Sequence, residues 1–203
     1  MFLSNLKKEI SKKESLSIIK KEEHIIVSFN LRKSNLLISD KVFLEIKEAS
    51  KLLMSKYNFR FCYIAGFNIS FVIEAQYSKE HIFNGNPIRI ISNLTSYFTM
   101  LINQIDILKS SYFSSTIYSS EEEDFLLDYF LYRSVHLKTY MSRQDNFESI
   151  SPHLKYGCSL KKTERLDKHV FKFKDKVGTI EKSSKNLNYI LDDFLDLSHF
   201  DDF

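Results

Sequence analysis

The segment CYIAGFNISFVI, residues 62–73, constrains the fold of this chain more than any other stretch. Apolar residues run up to Gly66, and beyond Asn68 apolar and polar positions alternate with the period of two that is typical of a half-buried strand. Gly66 supplies a tight turn between the two halves. The sequence therefore predicts a β-hairpin. Its tip holds Phe67, a large aromatic residue where Asn, Asp or Gly is the usual choice.

The other elements follow from hydrophobic periodicity and from cap residues. Before the hairpin we predict a helix over 4–20, a strand over 24–32 and a helix over 39–58. After it we predict a long helix from Asn86-Pro87 to about Lys109, a Ser-rich loop over 110–120, and a second long helix from a capping box at Ser120–Glu123 to about Arg143. The remainder is predicted to hold short strands in 156–162 and 169–174 and a final helix near 184–197. This order predicts an α+β fold, an antiparallel sheet with helices packed on one face.

The length and composition predict one compact domain. The chain has 203 residues, of which Gly and Pro together supply only 6 and Phe and Tyr supply 29, so a large aromatic core is available. The N-terminal residues mix charges among apolar residues and lack the apolar core of a signal peptide, and no later run approaches the roughly 20 apolar residues of a membrane span. We therefore expect a cytoplasmic protein with no membrane partner.

Metal-binding patterns are weak in this sequence. The two cysteines, Cys62 and Cys158, lack ligand spacing, and buried thiols are the usual explanation for so few. The six histidines lie at positions 24, 81, 136, 153, 169 and 199, and no two have the helical i, i+4 spacing of a metal site. We expect no metal ligands and no cofactor.

The charge is unevenly distributed. The net charge is +3, and residues 192–203 contain five Asp without Lys or Arg, so residues 1–191 carry a net +8. The Lys-rich runs 7–13 and 160–176 are suited to phosphates, although interspersed Glu and Asp are equally typical of a solvated lysine face. The apolar residues of the acidic-aromatic tail, 192–203, favour a docking element, with a frayed terminus as the alternative.

Three further motifs accompany the hairpin in a fixed order. The helix RIISNLTSYFTMLIN begins at Arg89, YFLYRS carries Tyr129 and Arg133, and LKYGCSLKK covers 154–162. Together they resemble the tRNA(His) guanylyltransferase family and its 3′–5′ polymerase-like relatives, in which a basic residue, Ser, Ser, Thr and Asn recur along the triphosphate-side helix. The matching positions here are Arg89, Ser92, Ser96, Thr99 and Asn103.

The resemblance implies a palm-like antiparallel sheet within a single domain, 1–203. The family-like core would cover 22–165, followed by a basic extension, 166–191, and the tail, 192–203. It also implies which side chains bind nucleotide or RNA. These are Arg89, Ser92, Ser96, Arg133, Lys161 and Lys162.

The sequence departs from the family at the metal-binding positions. The family's hairpin tip reads Gln-Ser-Asp-Glu, where this chain has Ala65, Gly66, Phe67 and Asn68, and the Asp-Gly that ends the first strand aligns with Asn30-Leu31. Mg²⁺ chemistry depends on anionic oxygen ligands, so Asn30, Phe67 and Asn68 are degenerate positions. Four further positions also lack the family's residues, namely Ser114, Thr116, His136 and Tyr140.

These departures leave three functional hypotheses open. The first is a catalytically silent guanylyltransferase-like protein that binds RNA or a nucleotide, or that serves as a structural subunit in a homo- or hetero-oligomer. The alternative is an active tRNA 5′-end nucleotidyltransferase that uses Mg²⁺ with unconventional ligands. Glu74 is a poor substitute ligand because six residues of strand place it roughly 20 Å from Asn68. The third is a helix-rich interaction protein.

Overall fold

The computed structural model describes residues 2–14, 17–32, 39–75, 81–143, 149–167 and 170–177. The helices are α1 (Phe2–Lys12), α2 (Asp40–Tyr57), α3 (Pro87–Asn103), α4 (Glu123–Met141) and α5 (Pro152–Tyr156). The strands are β1 (His24–Arg32), β2 (Phe61–Ala65), β3 (Asn68–Ile73), β4 (Tyr112–Ser120), β5 (Cys158–Asp167) and β6 (Val170–Val177).

The six strands form one sheet in the order β4-β1-β3-β2-β5-β6, and every neighbouring pair is antiparallel. The predicted hairpin is confirmed, with Ala65 opposite Asn68. Gly66 has φ of 63° whereas Phe67 does not have a positive φ, as in a type II′ hairpin turn. Only the first turn position needs glycine, which explains why Phe67 is tolerated at the second, where its half-buried ring packs against the core.

One face of the sheet holds the aromatic core. Alternate residues of a strand point to the same face, and Phe29 and Phe71 lie on the face covered by α2 and α3. Their ring centroids are 5.3 Å and 5.6 Å from Phe98 of α3, at edge-on angles that aromatic pairs favour. The predicted α+β fold with a palm-like antiparallel sheet is confirmed.

The opposite face of the sheet carries polar residues and packs against α4. Ser28 of β1 and Ser70 of β3 lie on this face, and both are fully buried. Their partners are Tyr129 and Arg133 of α4. Helices thus cover the central strands on both faces, rather than on the one face that the sequence predicted. This coverage explains why residues 24–29 are buried without interruption.

The Ser-rich segment predicted as a loop is the edge strand β4, so that prediction was wrong. β4 pairs with β1 along its full length, from Tyr112 opposite Arg32 to Ser120 opposite His24. Phe113 and Ile117 are buried on the aromatic face. Serine disfavours a strand locally, but the ladder with β1 satisfies the backbone and outweighs that preference.

Several helix boundaries also differ from the predictions. Among the described residues α1 ends at Lys12, and α3 ends at Asn103 rather than near Lys109. Glu122, not Ser120, is the N-cap of α4, because Ser120 belongs to β4 and its Oγ accepts a hydrogen bond from the Glu122 N–H. The predicted helix near 184–197 lies outside the described residues. Within the described ranges, no helix has the length and apolar character needed to cross a lipid bilayer.

Candidate functional site

The ends of β1 and β3 bring the degenerate positions together. Asn30 and Asn68 lie directly opposite each other in the β1–β3 register. The Leu31 N–H donates to the Phe67 carbonyl at 2.9 Å, which fixes the hairpin tip to the end of β1. Asn30 and Phe67 therefore lie at adjacent strand ends, as the family resemblance predicts for its Asp pair.

The side chains of Asn30 and Asn68 form an amide pair. Asn68 Nδ2 donates to Asn30 Oδ1 at 2.9 Å and to Ser28 Oγ at 2.9 Å, while its Oδ1 accepts from Ser70 Oγ at 3.1 Å. An amide supplies a donor and an acceptor, so Asn68 can link acceptors on β1 to a donor on β3. Two carboxylates in these places would both be acceptors and would repel each other.

Arg133 and Tyr129 extend this network from α4. Arg133 Nε donates to Tyr129 Oη at 3.0 Å, and its Nη2 donates to Ser28 Oγ at 3.3 Å. Tyr129 Oη lies 2.9 Å from Ser70 Oγ. Since arginine only donates, Tyr129 accepts from Arg133 and is free to donate to Ser70, which in turn donates to Asn68. Arg133 is therefore connected to Asn68 in two ways, through Ser28 and through Tyr129 and Ser70.

The guanidinium of Arg133 is the cationic group of this network. It lies 5.0 Å from the Tyr129 ring centroid and 5.6 Å from that of Tyr132, and cation–π attraction to the two rings holds it in place. Tyr129 itself is fully buried. A guanidinium remains charged throughout the pH range in which proteins fold.

The amide pair and Arg133 line a cleft of about 820 Å³. The hairpin tip, the end of β1, the start of α2, the C-terminal half of α4 and the segment before α5 surround it. Its polar and charged lining residues include Asn30, Arg32, Asp40, Asn68, Arg133, His136 and Tyr140. This volume is in the range of small-molecule sites.

Asp40, Ser151 and His153 form a cluster on the rim of the cleft. This cluster has no signature in the sequence because Asp40 is far from the other two residues in the chain. Ser151 donates a short hydrogen bond to Asp40 Oδ1. His153 Nε2 lies 2.7 Å from the same carboxylate oxygen and 3.3 Å from Ser151 Oγ. In a nucleophilic triad, serine and carboxylate bind opposite ring nitrogens. Here both converge on one nitrogen, so the cluster fastens α5 to the start of α2.

The pKa of His136 depends on burial and on the charges around the cleft. Burial, followed by the charges of Arg133, Lys7 and Arg143, lowers the pKa of His136 below its usual value. His136 is an exposed side chain on α4 whose ring stacks obliquely near Tyr132. A positive field of this kind disfavours a protonated imidazole and attracts anions.

Three of the predicted binding residues lie away from this cleft. Arg89, Ser92 and Ser96 are exposed on α3, which covers the sheet face opposite to α4. The Ser92 hydroxyl donates to the Arg89 carbonyl at 3.3 Å. The structure therefore separates these three residues from Arg133.

Lys161 and Lys162 lie on β5 at the end of the sheet remote from the amide pair. Lys161 is opposite Phe61 of β2 in register, and the Lys162 N–H donates to the Arg60 carbonyl at 2.9 Å. Arg60 pairs with Glu74 at 3.0 Å. Glu74 is thus engaged at this far end, in agreement with the distance predicted for it.

Two other degenerate positions lie on β4. Ser114 is opposite Asn30 in the β1–β4 register, and Thr116 is opposite Ser28. Ser114 Oγ accepts a hydrogen bond from Arg32 Nε at 3.3 Å. Both residues are therefore beside the site, and neither carries a charge.

Comparison with known proteins gives a structural likeness without a sequence match. No family model matches the chain, and no curated protein matches it significantly. A bacterial tRNA(His) guanylyltransferase-like protein in complex with GTP superimposes with a TM-score of 0.66 at 15% identity, over 94% of this chain and 97% of that one.

Two further structures agree with this likeness. A bacterial tRNA(His) guanylyltransferase-like protein in complex with ATP gives a TM-score of 0.64 at 14% identity, over 96% of this chain and 100% of that one. The Saccharomyces cerevisiae tRNA(His) guanylyltransferase gives 0.59 at 12% identity, over 87% and 96%. Over nearly its whole length, the chain therefore has the fold of the tRNA(His) guanylyltransferase-like proteins.

Proposed function

We propose that this chain is a catalytically silent guanylyltransferase-like protein that binds a nucleotide or an RNA phosphate in the cleft between the hairpin tip and α4. The observation that carries the proposal is the hydrogen-bonded pair of Asn30 and Asn68 at the two strand ends. By the family resemblance, metal-binding carboxylates would stand at Asn30 and Phe67; here Asn30 is instead engaged by the neutral amide of Asn68, and Phe67 offers no ligand atom.

The donor atoms present do not fit a pair of Mg²⁺ ions. Mg²⁺ prefers anionic oxygens in octahedral geometry, whereas the amide oxygens of Asn30 and Asn68 are neutral and each already accepts a hydrogen bond. The carboxylate described at the cleft, Asp40, contacts Ser151 and His153. Within the described ranges, no three His, Cys, Asp or Glu residues group as a metal site. No catalytic step is therefore assigned, and no cofactor is proposed.

Arg133 supports phosphate binding without a metal. Its guanidinium is held by Tyr129, Ser28 and two aromatic rings, so little entropy is lost when it engages a ligand. Guanidinium groups bind phosphate oxygens with two parallel hydrogen bonds. Arg32 lines the same cleft. After burial, the positive charges of Arg133, Lys7 and Arg143 contribute to the lowered pKa of His136.

The partner classes in this proposal come from the structural likeness. Two of the similar proteins are named as complexes with GTP and ATP, and the names of all three refer to tRNA(His) guanylyltransferase. We propose tRNA or another RNA as the partner of this chain. Assembly as a homo- or hetero-oligomer, a cytoplasmic location and docking through the tail, 192–203, are further parts of the proposal.

Two measurements test the proposal. Isothermal calorimetry with GTP, in EDTA and in Mg²⁺, is expected to give similar affinities. Arg133→Gln is expected to weaken binding about 10- to 150-fold, since one charge-assisted hydrogen bond contributes roughly 1.5–3 kcal/mol. Lys138→Gln, which removes one exposed positive charge from the same helix, is the matched control. The thermal midpoint of each variant separates lost binding from lost folding.

An assay for transfer of labelled GTP to the 5′ end of tRNA tests directly whether the protein lacks nucleotidyltransferase activity. We expect no incorporation above background with Mg²⁺ or Mn²⁺. Metal-dependent incorporation that Arg133→Gln abolishes would contradict the proposal. It would establish the alternative, an active tRNA 5′-end nucleotidyltransferase with unconventional metal ligands.

A further inference from the structure

A second surface, distant from the cleft, combines cations with partly exposed aromatic rings. It lies where α2 leads into β2 and is called here the basic–aromatic patch. Its members are Lys56, Tyr57, Arg60, Tyr97 and Lys162. None of them lines the cleft of the proposed function.

The aromatic half of the patch joins the end of α2 to α3. The ring centroids of Tyr57 and Tyr97 are 5.8 Å apart at 81°, and both side chains are half-buried. Lys56 Nζ lies 5.5 Å from the centroid of the Tyr97 ring. Both tyrosines are therefore partly accessible to solvent, and Lys56 lies beside the Tyr97 ring.

The turn before α3 holds this aromatic surface in place. Phe83 packs against Tyr57, with ring centroids 6.4 Å apart, and Phe83, Asn84 and Gly85 all have positive φ, of 54°, 54° and 65°. The Ile19 N–H donates to the Gly85 carbonyl at 2.9 Å and anchors the turn. A Cβ at Gly85 would lie 2.2 Å from the Ile19 oxygen, so only glycine fits. Surroundings that enforce such a conformation also keep Phe83 in place.

The charged half of the patch is next to the tyrosines. Lys162 Nζ makes a short hydrogen bond to Asn58 Oδ1, and Arg60 forms an ion pair with Glu74 at 3.0 Å. The charges of Arg60, Lys161 and Lys162 act against burial, which raises the pKa of Glu74. With Lys56 and Lys162, the patch holds three cations beside this one carboxylate, so it carries a net positive charge.

The patch is continuous with binding residues that the sequence predicted. Exposed Arg89, Ser92 and Ser96 form a stripe on α3, and Tyr97 lies at its flank. Lys162 belongs to the patch itself. Four of the six predicted nucleotide- or RNA-binding residues thus lie on or beside this one surface, whereas Arg133 lies in the cleft.

We propose that the basic–aromatic patch binds single-stranded nucleic acid, with a base stacked on Tyr97 and phosphates near Lys56 and Lys162. Aromatic rings accept any base, and adjacent cations follow the backbone. An acidic protein would satisfy the charges but would not require partly exposed tyrosines beside them. This site is separate from the cleft and does not depend on the function proposed for it.

Fluorescence anisotropy of the full chain tests the patch. The probes are fluorescein-labelled 12-nucleotide oligouridine RNA, the corresponding DNA strand and a 12-base-pair RNA duplex, each over a range of salt concentrations. We expect both single strands to bind more tightly than the duplex. Tyr97→Leu is expected to lower single-strand affinity about 5- to 150-fold without changing the salt dependence, since stacking is insensitive to counterions.

Removal of two charges gives the complementary result. Lys56→Gln combined with Lys162→Gln is expected to reduce the slope of log K against log salt by about 1.4, because each phosphate contact on a single strand contributes roughly 0.7. The matched controls are Lys12→Gln, at an exposed lysine of α1, and Tyr112→Leu, at an exposed tyrosine of β4. Both are expected to bind like the parent.

Three outcomes would overturn the assignment. Patch variants that bind RNA like the controls would exclude nucleic acid from the patch, and a duplex bound as tightly as the single strands would exclude base stacking. A change of oligomeric state in the lysine variant with unchanged RNA binding would assign the patch to a protein interface. Tyr97 does not line the cleft, so Tyr97→Leu is expected to bind GTP like the parent. Failure of the cleft proposal and failure of the patch proposal are therefore distinguishable.

Discussion

Asn68 Nδ2 donates a 2.9 Å hydrogen bond to Asn30 Oδ1 across the ends of two neighbouring strands. The direction of this bond makes the two asparagines chemically unequal. Asn68 supplies the donor to both Asn30 and Ser28, whereas Asn30 acts as an acceptor in the described network. The same substitution at the two positions should therefore have different consequences.

Asn68→Asp should destabilise the protein, and Asn30→Asp should be nearly neutral. The first change removes the donor and sets a carboxylate against the Asn30 oxygen, at a cost of about 1–3 kcal/mol. The second keeps an acceptor for Asn68 Nδ2. Repulsion would raise the pKa of the carboxyl introduced by Asn68→Asp, so its penalty should be present at neutral pH and should decrease as the pH falls through that pKa. Urea unfolding at several pH values measures both variants, and equal losses of stability would contradict the donor assignment.

Restoring the two aligned carboxylates should not create an enzyme. Asn30→Asp with Phe67→Asp removes an aromatic ring that packs against the core and leaves Leu31, Ser114, Thr116, His136 and Tyr140 unchanged. Groups that act together in catalysis are strongly non-additive, so two of several should recover little. We expect a lower thermal midpoint and no GTP transfer to tRNA. Transfer well above that of the parent would show that only the metal ligands had been lost.

The pKa of His136 should respond to the charge of the cleft. Burial, followed by Arg133, Lys7 and Arg143, lowers this pKa in the free protein. Arg133→Gln removes one of these positive charges and should raise the pKa, and inorganic triphosphate bound to the parent should also raise it by stabilising the imidazolium. NMR titration of the imidazole signals measures both shifts. An unchanged His136 pKa at saturating triphosphate would place the anion elsewhere.

Tyr63→Phe should alter stability in a pH-dependent way. The Tyr63 hydroxyl donates to the Tyr156 carbonyl at 2.8 Å, so its loss should cost about 1 kcal/mol near pH 8. Burial raises the pKa of Tyr63 to about 12, above its value of about 10 in the unfolded chain. Between these two pH values the unfolded parent ionises at Tyr63 and the folded parent does not, so the parent loses stability as the pH rises.

The phenylalanine variant lacks that ionisation. The stability difference between the two proteins should therefore shrink as the pH rises through 10. Tyr57 and Tyr118, whose pKa values burial also raises, are present in both proteins and cancel. Denaturant unfolding at pH 8 and at pH 11 makes the comparison, and a difference that stays constant would contradict a buried, un-ionised Tyr63.

Truncation after residue 191 tests the acidic-aromatic tail. We expect removal of residues 192–203 to change the oligomeric state or to weaken partner binding, because the tail combines five Asp with several large apolar residues. Light scattering and the thermal midpoint compare the two lengths of chain. If neither they nor partner binding changes, the docking role is wrong.

The elements that could be predicted from the sequence are those whose local residue pattern agrees with their tertiary environment. The period of two through Ile69, Phe71 and Ile73 predicted β3, and Ser39 with the apolar spacing behind it predicted α2, whose N-cap hydrogen bond to Val42 is present at 3.4 Å. Gly66 predicted the turn. In each case the information lies within a few residues, because hairpin turns and helix caps depend on local backbone geometry.

Which polar residues come into contact depends on the tertiary structure and not on local sequence. β4 reads locally as a loop because serine favours turns, and pairing with β1 alone makes it a strand. Asn30, Asn68 and Arg133 come from three elements, and so do Lys56, Tyr97 and Lys162, so neither constellation has a signature in sequence spacing. The partners of a side chain across a sheet depend on strand order and register, which long-range packing of both sheet faces establishes and which no local pattern encodes.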